Sequence, residues 1–268
     1  MIAAIVSEYR KFFSTRMWWI LTLCMAGYFL LVAFGLAWMF AYIDELGDPG
    51  TQMFGQPQSM VYGLAPAMGY VFPVIIGAVA VTAEYRHRTL VPTFLGEPRR
   101  WVVMTAKAIA ALPMGCAIGV AGTAVCLAGG ALGFHIGGIE TMLWTATTWY
   151  HAGLSVLACT LWALVGVGLG TLLTSQVGVI IAVLAFNQLV EPLLRLGLSL
   201  SSSTAPIAKF LPVAAAEATS GSPSIYSMSG MNGLADSLGI WQGALVLAGY
   251  GLVMGVLGYL TRTRRDLS

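Results

Sequence analysis

Charged side chains are scarce in this chain. Asp, Glu, Lys and Arg make up 9% of its 268 residues, whereas soluble domains carry about 25% charged residues. In their place, 58% of the residues are hydrophobic, and the mean hydropathy is +0.82. This composition excludes an ordinary soluble domain and is typical of an integral membrane protein.

Cysteine and histidine are also few, and their spacing does not suggest metal chemistry. The four cysteines lie in hydrophobic runs and include no CxxC pair, so neither a disulfide framework nor a zinc site is predicted. The three histidines are scattered and do not resemble paired haem or metal ligands. We expect packing cysteines and no metal site. These residues are Cys24, Cys116, Cys126, Cys159, His87, His135 and His151.

Motifs for nucleotide binding and catalysis are absent from the sequence. No GxxxxGK[ST] loop occurs, and Gly166, Gly168 and Gly170 lack the GxGxxG spacing of a dinucleotide site. Ser155 lacks the GxSG setting of an intramembrane serine protease, which would also need a histidine on another span. We therefore expect no catalytic residue, no cofactor in this chain and no nucleic-acid partner.

Long hydrophobic runs are what the sequence does contain. A membrane-spanning helix needs about 20 apolar residues, and runs of that length occur six times. They do not alternate apolar and polar residues as β-barrel strands do, so the predicted fold class is an all-α integral membrane protein. Glycine pairs spaced four residues apart, such as Gly115 with Gly119, predict close contacts between helices. The runs lie near 17–43, 60–83, 108–134, 148–173, 177–196 and 239–260.

Residues 1–16 are predicted to form an amphipathic helix in the membrane interface. The hydrophobic run after Arg16 is far longer than the apolar part of a cleaved signal peptide. Glu8, Arg10 and Lys11 lie mostly away from the apolar face of this helix. Both a plain anchor and a helix that docks a partner fit this pattern. The apolar face consists of Ile2, Ile5, Val6, Tyr9, Phe12 and Phe13.

The basic residues predict the orientation of the six spans. With an even number of spans both termini lie on one side. A cytoplasmic position for both termini places eleven of the thirteen Lys and Arg residues inside. Only Arg195 and Lys209 then lie outside. The residues inside are Arg10, Lys11, Arg16, Arg86, Arg88, Arg99, Arg100, Lys107, Arg262, Arg264 and Arg265.

Residues 84–100, between the second and third runs, form a short basic segment that reads EYRHRTLVPTFLGEPRR. The pattern within and just after it consists of Glu84, Arg88, Thr89, Phe94, Leu95, Pro98, Arg99, Arg100 and Lys107. This pattern resembles the cytoplasmic segment of type 2 ABC exporter permeases.

The resemblance implies a mechanism for the segment. In that family the segment after the second span is a coupling helix, which docks on a separate ATP-binding subunit and transmits its closure to the membrane helices. The alternative, from the residues alone, is that the basic side chains are solvated and only hold the topology. The expected coupling residues are Glu84, Tyr85, Arg86, His87, Arg88, Thr89 and Phe94.

The same resemblance covers residues 1–268 as a single permease domain, with an outer segment at 198–238. It implies two permease copies, as a homodimer or with a related permease, and two ABC ATPase subunits that carry ATP and Mg. The expected protein lies among the lipids of a bacterial cytoplasmic membrane and exports a lipophilic or amphipathic molecule such as a drug, antibiotic, lipid or peptide. A non-transporting anchor or sensor subunit, which would also need a docking loop, is the alternative.

Polar residues of the fifth run are the candidates for a substrate path, because ionisable side chains at membrane depth usually face a cavity or a partner. Asn187, Glu191 and Arg195 recur at four-residue spacing along one helix face. Gln188 lies beside them, and Pro192 is expected to kink or end the helix. The predicted path residues are Asn187, Gln188 and Glu191. The alternative is that Glu191 and Arg195 only pair with each other near the outer interface.

The predicted orientation can be tested by cysteine labelling. In a variant without native cysteines, single cysteines near Asp48 and near Ser222 should react with an impermeant thiol reagent in intact cells, because both lie in predicted outer loops. A cysteine near Arg99 should react only after the cells are opened. Labelling near Arg99 in intact cells would reverse the orientation.

Overall fold

The computed structural model describes residues 2–45, 57–87, 89, 99–201, 203–221 and 238–263, and every regular element within them is helical. The predicted all-α fold class is therefore confirmed. A π-helical turn, Phe186–Val190, joins α8 to α9, a second follows α11 at Tyr259–Thr263, and a 3₁₀ turn, Ala205–Phe210, precedes α10. The helices are α1 (Ile2–Ser14), α2 (Met17–Glu45), α3 (Pro57–Tyr62), α4 (Leu64–Met68), α5 (Val71–Arg86), α6 (Arg100–Ile136), α7 (Ala146–Leu173), α8 (Gln176–Ala185), α9 (Glu191–Ser199), α10 (Pro212–Ser220) and α11 (Ile240–Gly258).

Five helical segments within the described ranges are long and apolar enough to cross a membrane. All five overlap hydrophobic runs identified in the sequence, in keeping with a multi-pass membrane protein. The longest, α6, has 37 residues and begins several residues before the predicted run. The segments are α2, α6, α7, α8 with α9 (Gln176–Ser199), and α11 with its extension (Ile240–Thr261).

The second hydrophobic run, 60–83, folds as α3, α4 and α5 instead of one long helix. Gly63 lies at the break between α3 and α4, and Gly69 follows the end of α4. Glycine is a weak helix former, so these two positions favour the breaks. Because α5 has only 16 residues, a sixth crossing stays a prediction.

Close contacts at glycine residues show the directions of the helices. α2 and α6 run in the same direction, and α7 runs against both of them. α5 and α11 run alongside α7 in its direction. α8 begins directly after α7 and so returns the opposite way. One end of the bundle therefore contains the starts of α2, α6 and α8 and the ends of α5, α7 and α11. We call this end the α1 end, and the opposite end the far end.

The central helices of the bundle are α6 and α7. In the most apolar stretch of α6, 50% of the residues are buried, and in that of α7, 56% are buried. The corresponding share is 22% in each of the other three long segments. One core, which includes Phe29 and Phe134, joins α2 to α6, and a second surrounds Trp162 and Leu247. The remaining sides of the outer helices expose apolar side chains, as expected for helices in contact with lipid.

The packing of α5 against α7 depends on Gly77. A Cβ atom at Gly77 would overlap the backbone of Ala163, so Gly77→Ala should lower the free energy of unfolding by about 1–3 kcal/mol. Gly35→Ala on α2 is the matched control, because a Cβ there meets no atom within 4 Å. The control should be neutral or stabilising by about 0.5–1 kcal/mol. Equal thermal shifts of the two variants in one detergent would contradict this contact.

Candidate functional site

Four charged side chains from three helices meet at the α1 end. Lys107 Nζ on α6 lies 2.8 Å from Glu8 Oε2 on α1 and 3.0 Å from Glu84 Oε1 on α5. Lys11 Nζ lies 2.9 Å from Glu8 Oε1 and 2.6 Å from Glu84 Oε1. Lys107 Nζ also donates a hydrogen bond to the Ala80 carbonyl oxygen at 2.8 Å. Glu8, Lys11, Glu84 and Lys107 form the four-charge cluster.

Most of the four-charge cluster is buried. The Lys107 side chain is fully buried, and the side chains of Glu84 and Glu8 are only 5% and 8% exposed. Because a buried charge is stable only when it is paired and hydrogen-bonded, each acid depends on the two lysines. Glu84 Oε2 is buried and has no hydrogen-bond partner within the described parts of the chain. The Glu84 carboxylate is therefore held through Oε1, the atom that both lysines share.

Lys11 is the accessible member of the cluster, with 44% of its side chain exposed. Partial burial lowers its pKa, but hydrogen bonds and charge interactions with Glu84 and Glu8 raise the pKa further, to a net value above the ordinary 10.5. A lysine with a raised folded pKa stabilises the fold below its unfolded pKa and loses this effect as the pH rises through the folded pKa. The Lys11 ion pairs are therefore kept at neutral pH.

The position of α1 depends on this cluster and on apolar contacts. Ile5 and Phe12 pack against the core between α2 and α6, whereas Val6 and Phe13 are exposed. The predicted apolar face is therefore divided between the bundle and the surface. Glu8, expected away from that face, is buried. It precedes Phe12 by four residues and so lies on the same side of the helix, which is the sequence signal for its burial.

The predicted coupling residues do not share one environment. Glu84 is buried in the four-charge cluster, and Tyr85 is half-buried. Arg88 and Phe94 lie outside the described residues. Glu84 contacts Lys11 and Lys107 of this chain, and its direct contact with a partner stays a prediction. The residues exposed at the end of α5 are Arg86, His87 and Thr89.

A second charged cluster lies in the far half of the bundle. Arg195 Nη2 lies 2.7 Å from Glu191 Oε1, and Arg195 Nη1 lies 3.0 Å from Glu217 Oε2 on α10. The Glu191 carboxylate also accepts hydrogen bonds from the backbone N–H groups of Val213 and Ala214, each at 3.0 Å. Those two groups belong to the first turn of α10, where a negative charge is favourable. Glu191, Arg195 and Glu217 form the far-end cluster.

One face of the fifth span stays buried along its whole length. Its residues at four-residue spacing are Val179, Val183, Asn187, Glu191 and Arg195, and all of them are buried. In a regular α-helix this spacing drifts by about 40° at each step, which would turn the last residues away from the bundle. The π-helical turn Phe186–Val190 winds more slowly and reduces the drift. It therefore brings Glu191 and Arg195 to face α10.

Pro192 does not end this helix, which continues to Ser199. The irregularity lies directly before it, in the π-helical turn Phe186–Val190. A proline ring clashes with the preceding helical turn and cannot donate a backbone hydrogen bond to it, and a wider turn removes this conflict. Of the two outcomes expected at Pro192, a kink or a helix end, the structure thus shows an irregular turn directly before the proline and a helix that continues through it.

The three predicted path residues do not share one surface. Asn187 and Glu191 are buried, whereas Gln188 is exposed. Glu191 forms the ion pair of the alternative interpretation and, in addition, binds α10. Asn187 Nδ2 is buried and finds no hydrogen-bond partner among the residues that the structure describes. Buried polar groups are paired with protein or ordered water in most proteins, so this unpaired amide calls for a partner, and Asn187 stays a predicted path residue.

Glu217 and the start of α10 are the contacts of Arg195 and Glu191 that the sequence analysis missed. A proline at the first position of a helix marks its start, and Pro212 occupies that position in α10. The carboxylate that binds there comes from Glu191, which lies 21 positions earlier in the chain. No local pattern links two positions at that distance, so only the folded chain identifies the pair.

No group of three or more His, Cys, Asp or Glu side chains within the described ranges could hold a metal ion. The chain matches no protein-family model and no curated protein. The resemblance to exporter permeases accordingly rests on residues 84–100 and on the helical architecture.

Removal of the buried lysine should destabilise the fold strongly. Lys107→Met leaves two buried carboxylates with one partly exposed lysine and should lower the free energy of unfolding by about 3–5 kcal/mol. Adding Glu84→Gln restores the neutrality of the cluster and should recover part of this loss. Lys11→Met should lower the stability by less than Lys107→Met does, because Lys107 still pairs with both carboxylates and the Lys11 position is partly open to solvent. Equal losses for the two single variants in denaturant unfolding would contradict these assignments.

Exchange of the two charges in the fifth span should not restore stability. The double variant Glu191→Arg with Arg195→Glu keeps an ion pair. Arginine, however, cannot accept the hydrogen bonds that the backbone N–H groups of Val213 and Ala214 donate to Glu191. The double variant should stay about 2–3 kcal/mol less stable than the native chain. Glu191→Gln keeps an acceptor oxygen toward α10 and should lose less. A double-mutant cycle on thermal unfolding measures the free energy of interaction between the two residues. Full recovery of stability in the exchanged variant would show that Glu191 stabilises the fold only by pairing with Arg195.

Proposed function

We propose that this chain is the membrane permease of an ATP-driven exporter, acting as two permease copies with two separate ATPase subunits. The observation that carries the proposal is the four-charge cluster, which joins the start of residues 84–100 to α1 and α6. In the family that these residues resemble, the corresponding segment receives the motion of the ATPase. A firm connection from that segment into the membrane helices is what such a role requires.

The four-charge cluster couples displacement of the segment to α6 and α1. Glu84 cannot leave Lys107 without creating an uncompensated buried charge, which costs about 3–5 kcal/mol. Movement at the end of α5 is therefore followed by α6 through Lys107, and by α1 through the lysines that Glu84 and Glu8 share. Because α6 continues to Ile136, it carries the displacement to the far end of the bundle.

We count six membrane crossings, with α3, α4 and α5 together as the second. The helix directions support this count, because α5 runs against α2 and α6, as a second crossing has to. The described part of the chain then begins and ends at the α1 end, and the excess of Lys and Arg favours a cytoplasmic position for this end. The membrane would be the cytoplasmic membrane of a bacterium.

The exported molecule in this proposal is lipophilic or amphipathic. The second permease copy would pack on an exposed apolar side of α2, of the α8–α9 segment or of the α11 segment, in each of which only 22% of the most apolar stretch is buried. Asn187 Nδ2 is the buried polar atom on the fifth span that is left without a protein partner in the described structure. A hydrogen-bonding group of the cargo could pair with it during passage.

The exposed end of α5 gives a direct test of docking. Arg86→Ala with His87→Ala should weaken co-purification of the proposed ATPase subunit by about tenfold, because arginine is enriched among the residues that contribute most to binding at interfaces. The permease itself should still insert and keep its thermal stability, since both side chains are exposed. Transport and stimulated ATP hydrolysis should fall together.

Arg10→Ala is the matched control for the docking test, because Arg10 is also an exposed cation at the α1 end but lies outside residues 84–100. It should leave ATPase binding unchanged. Equal loss for Arg10→Ala would indicate a nonspecific charge effect, and no loss for the double variant would remove the docking assignment. ATPase binding without any ATP-dependent transport would instead identify a non-transporting anchor or sensor subunit.

A further inference from the structure

A polar pocket, which we call the far-end pocket, lies at the far end between α3 and the first turns of α7. Its volume is about 130 Å³. Apart from Gly63, Met142 and Ala152, the described residues of its lining have polar side chains. No Asp, Glu, Lys or Arg belongs to this described lining. A charged ligand would therefore lose its hydration here without meeting a counter-charge among these residues.

The α3 side of the far-end pocket offers mainly hydrogen-bond acceptors. Gln58 Nε2 donates to the Glu140 carbonyl oxygen at 3.0 Å, and Tyr62 Oη donates to the Thr141 carbonyl oxygen at 2.6 Å. The Tyr62 hydroxyl has thereby used its single hydrogen, whereas its oxygen can still accept. Gln58 keeps its amide oxygen and one N–H. The Ser59 hydroxyl completes the polar lining on this side.

The side chains on the α7 side are acceptors for the same reason. Thr145 Oγ1 and Thr148 Oγ1 both donate to the Met142 carbonyl oxygen, at 2.8 and 2.9 Å, so each hydroxyl has used its hydrogen. His151 Nδ1 lies 3.1 Å from the Ser220 carbonyl oxygen. Because a carbonyl oxygen only accepts, Nδ1 carries the hydrogen, and Nε2 of the neutral ring is an acceptor. No hydrogen bond reaches this Nε2 from the described residues.

The start of α7 adds hydrogen-bond donors to the lining. Thr147 and Thr148 lie in the first turn of this helix, where backbone N–H groups have no partner within the helix. The side chain of Thr145, at the N-cap, does not cap them. The exposed Thr147 also brings a hydroxyl group to the lining. The far-end pocket therefore offers lone pairs and hydrogens but no formal charge, which matches hydroxyl groups, because they both donate and accept.

Hydrogen bonds within the chain hold the connection between α6 and α7 in place beside this pocket. Met142 has a φ of 51°, which is uncommon for a residue other than glycine. Its carbonyl oxygen accepts the two threonine hydroxyls and also the Thr145 N–H, at 3.2 Å. Gln58 and Tyr62 bind the same connection from α3. The far-end pocket is thus formed by contacts within the chain and does not require a ligand to assemble.

We propose that the far-end pocket binds a small neutral polyol. Liquid water occupies about 30 Å³ per molecule, so the pocket has room for about four waters, or for one molecule of the size of glycerol. A cation would meet no described carboxylate and would lie beside the positive end of α7. An apolar group would leave the acceptors of Tyr62 and His151 unpaired. The far end is outside the cell in the orientation proposed above, but the pocket itself does not depend on that orientation.

Titrations followed by NMR test the site in the full chain, purified without a histidine tag. His87→Gln with His135→Gln replaces two exposed residues and leaves His151 as the one histidine of the chain. Glycerol should shift the isotope-labelled His151 ring signal in a saturable way at constant pH, because its hydroxyl groups can donate to Nε2. 1-Propanol has the same three carbons but two hydroxyl groups fewer, and it should bind about tenfold more weakly. Thr147→Val removes one hydroxyl and should weaken glycerol binding about fivefold.

Thr261→Val is the matched control, because Thr261 is an exposed threonine at the α1 end, and it should bind glycerol as the parent chain does. Ala152→Leu fills the pocket from α7 and should abolish the saturable shift. A shift that never saturates with glycerol would show that the pocket holds only water and would overturn the proposal. Equal saturation by tetramethylammonium or acetate would do the same, as would unchanged binding in both Thr147→Val and Ala152→Leu. The measurement needs neither ATPase nor transport, so its outcome is independent of the exporter proposal.

Discussion

The fully buried charge of Lys107 is the constraint on which the α1 end of the structure depends. A lysine without exposed surface requires acidic partners. These partners, Glu8 and Glu84, come from two different helices, α1 and α5. This requirement brings the N-terminal helix and the start of residues 84–100 to one point on α6. The cluster accordingly defines how three parts of the chain are joined before any partner is present.

The far-end cluster follows the same principle with a different balance of charge. It contains two acids and one arginine, and the N-terminus of α10 contributes the remaining positive character through its backbone N–H groups. In both places a short helix, α1 or α10, is held by charges on a membrane-spanning segment. Apolar contacts add to these ion pairs, because Ile5 and Phe12 of α1 and Val213 and Ala216 of α10 pack against the two cores.

The helices could be predicted from the sequence much better than the contacts between charges. Hydrophobic runs located the five long segments because length and polarity are local properties. The structure of the run at 60–83 was harder to predict, because the run is divided into three helices at its glycines. Glu84 was expected at a partner surface, and Glu191 in a path or in a local pair. Glu191 does form the local pair with Arg195. The further contacts, of Glu84 with Lys107 and of Glu191 with the start of α10, join positions more than 20 residues apart, and no periodicity encodes such distances.

The π-helical turn in the fifth span has a consequence for register. It contains one residue more than a regular turn, and its conversion to α-helix would rotate α9 by about 100° and move it by about 1.5 Å relative to α8. Glu191 would then no longer face the start of α10. The contact between the fifth span and α10 therefore depends on this one extra residue in the π-helical turn.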